Sequence, residues 1–246
     1  MRRPVDIATA ETAAFLLEWL GDSHRRVIEV GAGDGHVAEV LGQRGHEVVA
    51  IDTDAESVAR ARARGVDARE ARWPEFTSEP VDAVVFTRSL HHIDDLEGAI
   101  ARACELVVPK GLVIVEDFAF ESLDDAMVGW FHDHLRVIAA ATDLDAPGDS
   151  FVARVLAGGN AAAIHAVEPH RDLHSWTRMR DALTEGLSPV DARSAPYFYR
   201  YLIRIAPDRT DLASVVGALL EAELAAAARG WILPFGRRFV GRRPTT

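Results

Sequence analysis

The first half of this 246-residue chain predicts an α/β fold built on a doubly wound, mostly parallel sheet. Short apolar segments rich in β-branched residues alternate with segments of helical apolar spacing, which is typical of β–α–β units. A glycine-rich turn follows the first of these apolar segments, Arg26–Val30. Glycines between a strand and a helix let the backbone approach a ligand closely, so the turn predicts a binding site as well as a fold.

Apolar spacing, helix caps and breakers place the individual elements. Predicted strands cover residues 26–30, 47–51, 66–71, 81–86 and 112–115, and the last of these follows a turn at 109–111. Predicted helices cover residues 9–20, 36–41, 55–64 and 95–106. Thr9 is the expected N-cap of the first helix, because threonine is favoured at that position.

The sequence of the second half predicts more helix than strand. Helices are expected over residues 123–141, 151–167 with a break at Gly158-Gly159, 176–184 and 212–228. Ser122 and Asp125 resemble a capping box for the first of them. An aromatic edge strand is expected over residues 195–205, followed by a short strand over 237–240. Alternation along the edge strand would send Tyr197, Tyr199 and Tyr201 to one face and Phe198 to the other.

Composition limits the classes of partner. The chain has 27 Lys+Arg against 38 Asp+Glu, a net charge of −11, whereas nucleic-acid binding depends on neutralising phosphates with basic residues. The arginines after Glu223 form an exception, which we interpret as a solvated basic tail, with contact to an anionic substrate as the alternative. Cys104 is the only cysteine, which fits a reducing cytoplasm. We also expect no membrane span and no signal peptide.

The glycine turn is the most informative segment. Gly31, Gly33 and Gly35 follow the first strand, and Asp52 ends the second strand about 20 residues later. A carboxylate at that point can accept hydrogen bonds from both hydroxyls of a ribose. The pattern fits a nicotinamide dehydrogenase or an enzyme that binds S-adenosylmethionine, but His36 occupies the position where the dinucleotide fingerprint requires a third glycine or alanine. Glu29 also favours a ligand with an ammonium group over a pyrophosphate.

This segment resembles the first motif of the class I S-adenosylmethionine-dependent methyltransferases, an acid followed by alternating glycines. The resemblance continues in order over residues 15–118, through the second strand with Asp52, the fourth strand with its loop, and the Pro-x-Gly turn before the fifth strand. It implies a Rossmann-like sheet of seven strands with one antiparallel strand near its edge. It also implies S-adenosylmethionine as cofactor, with contacts from Glu29, Gly31, Gly33, Gly35, Asp52, Thr53, Ala71, Arg72 and Thr87.

Candidate catalytic residues follow the fourth strand, where groups at the carboxyl end of a parallel sheet border the ligand. His91 and His92 are candidates for a general base that takes a proton from the methyl acceptor. A packing or positioning role is the alternative for both. Arg88 could bind a substrate carboxylate or form a surface salt bridge. Glu116 and Asp117 end the fifth strand and could supply a base, a metal ligand or a helix cap.

The sequence therefore predicts methyl transfer to a small molecule, with oxygen as the first choice of acceptor atom. The expected organisation is a cofactor-binding half over residues 1–118, a helical insertion or lid over 119–173, and completion of the sheet over 174–246. No metal is expected, and a monomer and a homodimer remain open. Two rivals are a protein that uses S-adenosylmethionine without transferring methyl and a nicotinamide-dependent oxidoreductase, because one fold hosts many activities.

Overall fold

A computed structural model describes residues 2–167 and 173–244 of the chain. Its seven strands form one sheet in the order β3-β2-β1-β4-β5-β7-β6. The strands are β1 (Arg26–Val30), β2 (Glu47–Asp52), β3 (Asp67–Glu70), β4 (Val81–Thr87), β5 (Val107–Phe118), β6 (Ser188–Ala195) and β7 (Gly236–Arg242). The pairs β3–β2, β2–β1, β1–β4 and β4–β5 are parallel. The predicted doubly wound, mostly parallel sheet of seven strands is confirmed.

Helices alternate with the strands in the first half and dominate the second. They are α1 (Pro4–Leu20), α2 (His36–Gln43), α3 (Ala55–Ala63), α4 (Leu96–Leu106), α5 (Asp125–Ala141), α6 (Phe151–Leu156), α7 (Ala161–Val167), α8 (Trp176–Gly186), α9 (Phe198–Ile205) and α10 (Ala213–Ala228). The predicted break at Gly158-Gly159 is confirmed, since it separates α6 from α7. In the described parts of the chain, no helix combines the length and apolarity that crossing a membrane requires.

The centre of the sheet is buried and mostly apolar. In β4, residues 83–87 are all buried, and β1 is buried from Val27 to Val30. Strands covered by helices on both sides read as continuous apolar runs, which is why these two could be recognised from sequence. Their register aligns Val30 with Phe86, so the loops after both strands emerge at the same edge.

The chain divides into two compact units. One comprises Met1–Ala8, Ala119–Leu173 and Ser194–Gly236, and the other comprises Thr9–Phe118, His174–Arg193 and Arg237–Thr246. The second unit holds the glycine turn and the first five strands. The predicted helical segment after β5 thus belongs to a unit with its own internal packing, and its role as a lid stays a prediction.

The predicted aromatic edge strand is wrong. Residues 198–205 form helix α9, and strand β6 lies upstream at Ser188–Ala195. Aromatic residues favour strands, but Glu223 of α10 overrides that preference. Its Oε1 accepts a hydrogen bond of 2.6 Å from the backbone N–H of Tyr197, at the N-cap of α9. A carboxylate at a helix N-terminus satisfies its orphan donors and complements its dipole.

Three smaller expectations are also corrected. Helix α1 begins at Pro4, not after Thr9, since proline suits the first turn of a helix. Helix α5 is capped by Asp124, whose Oδ1 accepts from the N–H of Met127, whereas Ser122 donates to the carbonyl of Ala119. The predicted turn at residues 109–111 lies inside β5 as a bulge, with Lys110 at φ 66°.

Two glycines of the turn offer a matched test of packing. Gly33 and Gly35 both have positive φ, of 53° and 73°, but a Cβ on Gly35 would lie 2.7 Å from the Cβ of Ala61 in α3. A Cβ on Gly33 would meet no atom within 4 Å. Gly33→Ala should therefore lose about 1–2 kcal/mol of unfolding free energy from backbone strain alone. Gly35→Ala should lose a further 1–3 kcal/mol, roughly, from overpacking.

Urea unfolding of the two ligand-free variants measures this difference. Equal losses would show that α3 moves away from the new methyl group at no cost, and would contradict the packing described for Gly35.

Candidate active site

The glycine turn is fixed to the end of β2 by backbone hydrogen bonds. The N–H groups of Gly31 and Ala32 donate to the carbonyl of Ile51, at 2.8 and 3.1 Å. Gly31 has φ 69°, and a Cβ there would lie 2.4 Å from the Cβ of Ser89. The backbone of the turn thus approaches the loop after β4 more closely than a side chain would allow.

Asp52 is held by the same turn. Its Oδ2 accepts a hydrogen bond of 2.8 Å from the N–H of Gly33, and its Oδ1 accepts one of 2.9 Å from the N–H of Asp54. A carboxylate has about four lone-pair sites, so each oxygen keeps capacity for a ligand hydroxyl. The carboxylate is therefore fixed in place and still able to accept.

A cavity of about 560 Å³ opens at the carboxyl ends of β1, β2 and β4. This is the place where ligands bind in open α/β sheets, and the volume is that of a small-molecule site. Its walls are formed by Val30, Gly31, Ile51, Asp52, Thr53, Ala71, Arg72, Trp73, Pro74, Glu75, Arg88, Ser89, His92, Ile93, Asp94 and Asp95. All of these residues belong to the unit that contains the glycine turn.

The cavity brings together six of the predicted site residues. They are Gly31, Asp52, Thr53, Ala71, Arg72 and His92. The other five do not line it; Gly33 and Gly35 continue the glycine turn, while Glu29, Thr87 and His91 are buried behind the lining. The structure thus separates the predicted residues into a layer that faces the cavity and a layer that supports it.

Glu29 belongs to the supporting layer. Its side chain is buried, and its Oε1 accepts a hydrogen bond of 2.9 Å from Thr87 Oγ1. Burial raises the pKa of the Glu29 carboxyl to about 7, although the Thr87 hydrogen bond and the charge of Arg88 act in the opposite direction. The Glu29 carboxyl therefore changes between its neutral and charged forms at about pH 7 and not near pH 4.5.

The two histidines have different environments. They lie in a short 3₁₀ turn, Leu90–His92, directly after β4. His92 is exposed and lines the cavity, whereas His91 is buried with its Nδ1 2.8 Å from Asp117 Oδ1. Their ring centroids are 4.1 Å apart. His92 can thus contact a ligand, and His91 lies between it and a buried carboxylate.

A second buried acid, Glu116, accepts hydrogen bonds from two arginines. Its Oε1 accepts from Arg88 Nη1 at 2.8 Å and from Thr12 Oγ1 at 2.7 Å. Its Oε2 accepts from Arg238 Nε at 2.9 Å. The expected basic tail is therefore not uniformly solvated, because Arg238 lies in β7 with its side chain only 12% exposed. Sequence reasoning missed Thr12 and Arg238, since no local pattern connects residues so far apart.

Comparison with known proteins gives the family. The sequence model described as "Methyltransferase domain" matches residues 3–142, more than half of the chain. The chain belongs to this methyltransferase family. With the sheet order described above, the match confirms the class I S-adenosylmethionine-dependent methyltransferases as the predicted family.

One relative and two solved structures show how far the likeness extends. An uncharacterized methyltransferase of Mycobacterium tuberculosis is 37% identical over 108 residues, covering 41% of this chain and 54% of the relative. The chain therefore spans about half the length of that methyltransferase.

The N-methyltransferase NodS of Bradyrhizobium japonicum WM9, in complex with S-adenosyl-L-homocysteine, has a TM-score of 0.54 at 14% identity, covering 98% of this chain and 89% of NodS. The [4+2]-cyclase SpnF has a TM-score of 0.57 at 15% identity, covering 96% of this chain and 82% of SpnF. At such identities the two structures show a shared fold.

The raised pKa of Glu29 predicts a pH dependence of stability. Its folded pKa of about 7 exceeds the ordinary glutamate value near 4.5, so the unfolded state ionises first. The contribution of protonated Glu29 to the free energy of unfolding is therefore fully present below about pH 4.5, and it is lost as pH rises through 7. Between pH 5 and 8 the wild-type unfolding free energy should fall by roughly 1–3 kcal/mol more than that of Glu29→Gln.

Urea unfolding at a series of pH values measures both curves. Glu223, whose pKa burial also raises to about 7, is present in both proteins and cancels in the comparison. Parallel curves would contradict the raised pKa of Glu29.

Proposed function

We propose that this chain transfers the methyl group of S-adenosylmethionine to a small-molecule acceptor, with oxygen as the first choice of acceptor atom. The observation that carries the proposal is the Asp52 carboxylate, which is fixed by the N–H of Gly33 at the wall of the cavity. An acid in that position suits the two hydroxyls of a ribose. The family match supports the same activity.

The residues of the cavity wall suit the parts of this cofactor. Asp52 would hold the ribose, and Gly31 would let the backbone approach the amino-acid portion closely. Ala71, Arg72 and Thr53 would border the adenine; the N–H of Ala71 donates to the carbonyl of Asp52 at 3.0 Å, which joins the two parts of the wall. When bound, the cofactor supplies a methyl group on a sulfonium, which a nucleophile can attack.

Transfer then requires alignment and removal of a proton. With S-adenosylmethionine bound, its sulfonium would supply the methyl group to the acceptor oxygen, and S-adenosylhomocysteine would be the other product. Holding both reactants in line supplies much of the rate. The hydroxyl proton passes to an imidazole nitrogen of His92, which lines the cavity. His91 and Asp117 act as positioning residues through the 2.8 Å contact between Nδ1 and Oδ1 and the contact between the imidazole rings.

A small acceptor fits the charge and size of the site. The chain carries a net charge of −11, which disfavours a phosphate backbone as partner, and the cavity of about 560 Å³ is of the size that holds small ligands. We infer a cytoplasmic location, since a single cysteine, Cys104, suits a reducing compartment.

Asp52 gives the first test of this proposal. Asp52→Ala should weaken binding of S-adenosylhomocysteine by about 1–3 kcal/mol, because charge-assisted hydrogen bonds to the ribose are lost. Isothermal titration calorimetry measures the change. Asp67→Ala is a matched control, since Asp67 lies on β3 in an exposed pair with Arg69 and outside the cavity. Unchanged affinity in Asp52→Ala, or a preference of the wild type for NADH, would refute the cofactor assignment.

His92 gives the second test, which uses any acceptor that the wild type methylates. His92→Ala should lower kcat by at least about 100-fold, because the base is removed, while affinity for S-adenosylhomocysteine changes by less than about 1 kcal/mol. His24→Ala is the control, since His24 is exposed and does not line the cavity. Formation of S-adenosylhomocysteine at the wild-type rate in His92→Ala would show that alignment alone drives the transfer.

A further inference from the structure

We propose that Arg88 binds a carboxylate of the methyl acceptor, so that the acceptor is a small organic acid. The inference rests on the proposed function, because it concerns the second ligand of the same cavity. Three observations support the proposal: the backbone conformation of Arg88, the unused donors of its guanidinium, and its place in the cavity wall.

The backbone of Arg88 is strained. Its φ of 62° lies in the left-handed region, which is unfavourable for a residue with a Cβ and natural for glycine. Its N–H donates to the carbonyl of Glu116 at 2.6 Å, which holds this conformation against β5. Strain of this kind is typically retained at functional sites. Arg88 combines this conformation with a place in the cavity wall, and the two together point to a task for its side chain.

The guanidinium of Arg88 is anchored through one nitrogen. Nη1 donates to Glu116 Oε1 at 2.8 Å and to Thr12 Oγ1 at 3.3 Å. No residue in the described parts of the chain accepts a hydrogen bond from its Nε or Nη2. These two nitrogens carry three N–H groups, in the planar geometry that binds both oxygens of a carboxylate.

Arg88 is also not required to neutralise Glu116 alone. Arg238 lies 2.8 Å from Glu116 Oε2, so the buried acid, only 3% exposed, contacts two guanidinium groups. The side chain of Arg88 is 29% exposed, which leaves it accessible while limiting screening by water. An anion that reached it would therefore form a charge-assisted pair with a donor already held in place.

The position of Arg88 suits a second ligand beside the cofactor. It follows β4, whereas Asp52 ends β2, and β1 lies between these strands. Two strand spacings separate them by about 10 Å, yet both residues line one cavity. The α-carboxylate of the cofactor is the other possible source of a carboxylate at Arg88, so the test must distinguish the two.

Calorimetric titration of the full chain saturated with S-adenosylhomocysteine provides that test. The probes are succinate, citrate and benzoate, with succinamide and benzamide as uncharged controls. The proteins are the wild type, Arg88→Met, Arg88→Lys and the control Arg180→Met, whose arginine pairs with its neighbour Asp181 outside the cavity. S-adenosylhomocysteine is titrated into each protein separately.

We expect at least one acid to bind the wild type and Arg180→Met, and neither amide to bind. The Kd of that acid should rise at least tenfold in Arg88→Met and by a smaller factor in Arg88→Lys, because lysine keeps the charge but cannot form the paired hydrogen bonds. The Kd of S-adenosylhomocysteine should change less than threefold in both variants. Should Arg88→Met fail to fold, Arg88→Lys decides, since it keeps a cation beside Glu116.

Three results would overturn the inference. Acids that bind Arg88→Met as well as the wild type, or that bind neither, would show that Arg88 does not hold an acceptor carboxylate. Weaker binding of S-adenosylhomocysteine in both Arg88 variants would assign the carboxylate to the cofactor. Failure of the wild type to bind S-adenosylhomocysteine would instead refute the proposed function. The separate titration with S-adenosylhomocysteine distinguishes this result from the other three.

Discussion

The attachment of the glycine turn to the end of β2 is the constraint on which the candidate site depends. Gly31 donates to Ile51, and Gly33 donates to the carboxylate of Asp52. These bonds need a backbone that adopts left-handed conformations at Gly31 and Gly33. They fix two neighbouring strand ends relative to each other. The cavity then lies between a turn and an acid that are each held by hydrogen bonds, so that binding requires little rearrangement of either.

Behind the cavity lie three buried acids that contact the end of β4 and the loop after it. Glu29 accepts from Thr87, Glu116 accepts from Arg88, and Asp117 contacts His91. Burying carboxylates costs free energy unless each is paired or protonated. Each of these acids contacts a polar group on the loop after β4 or at the end of that strand. Their common effect is to position that loop, and such preorganisation is how sites stabilise charge during a reaction.

Sequence reasoning succeeded where local pattern determines structure. Apolar strands, the glycine turn and Asp52 are properties of short segments, and the first five strands could be placed along the chain from them. It failed at α9, because a carboxylate from α10 binds the N-terminus of that helix, and it missed the contact of Glu116 with Arg238. Both interactions join residues distant in sequence. It named His91, His92 and Asp117 but not their arrangement, which depends on side-chain packing across two strands.

The bulge in β5 has a practical consequence. Lys110 is the only lysine of the chain, and it is exposed near the amino end of that strand. The cavity opens at the carboxyl ends of the strands parallel to it, about 20 Å away along the strand direction. A reagent for primary amines would therefore modify only Lys110 and the α-amino group. A fluorophore or a surface tether attached there would report on ligand binding, or immobilise the protein, without covering the entrance.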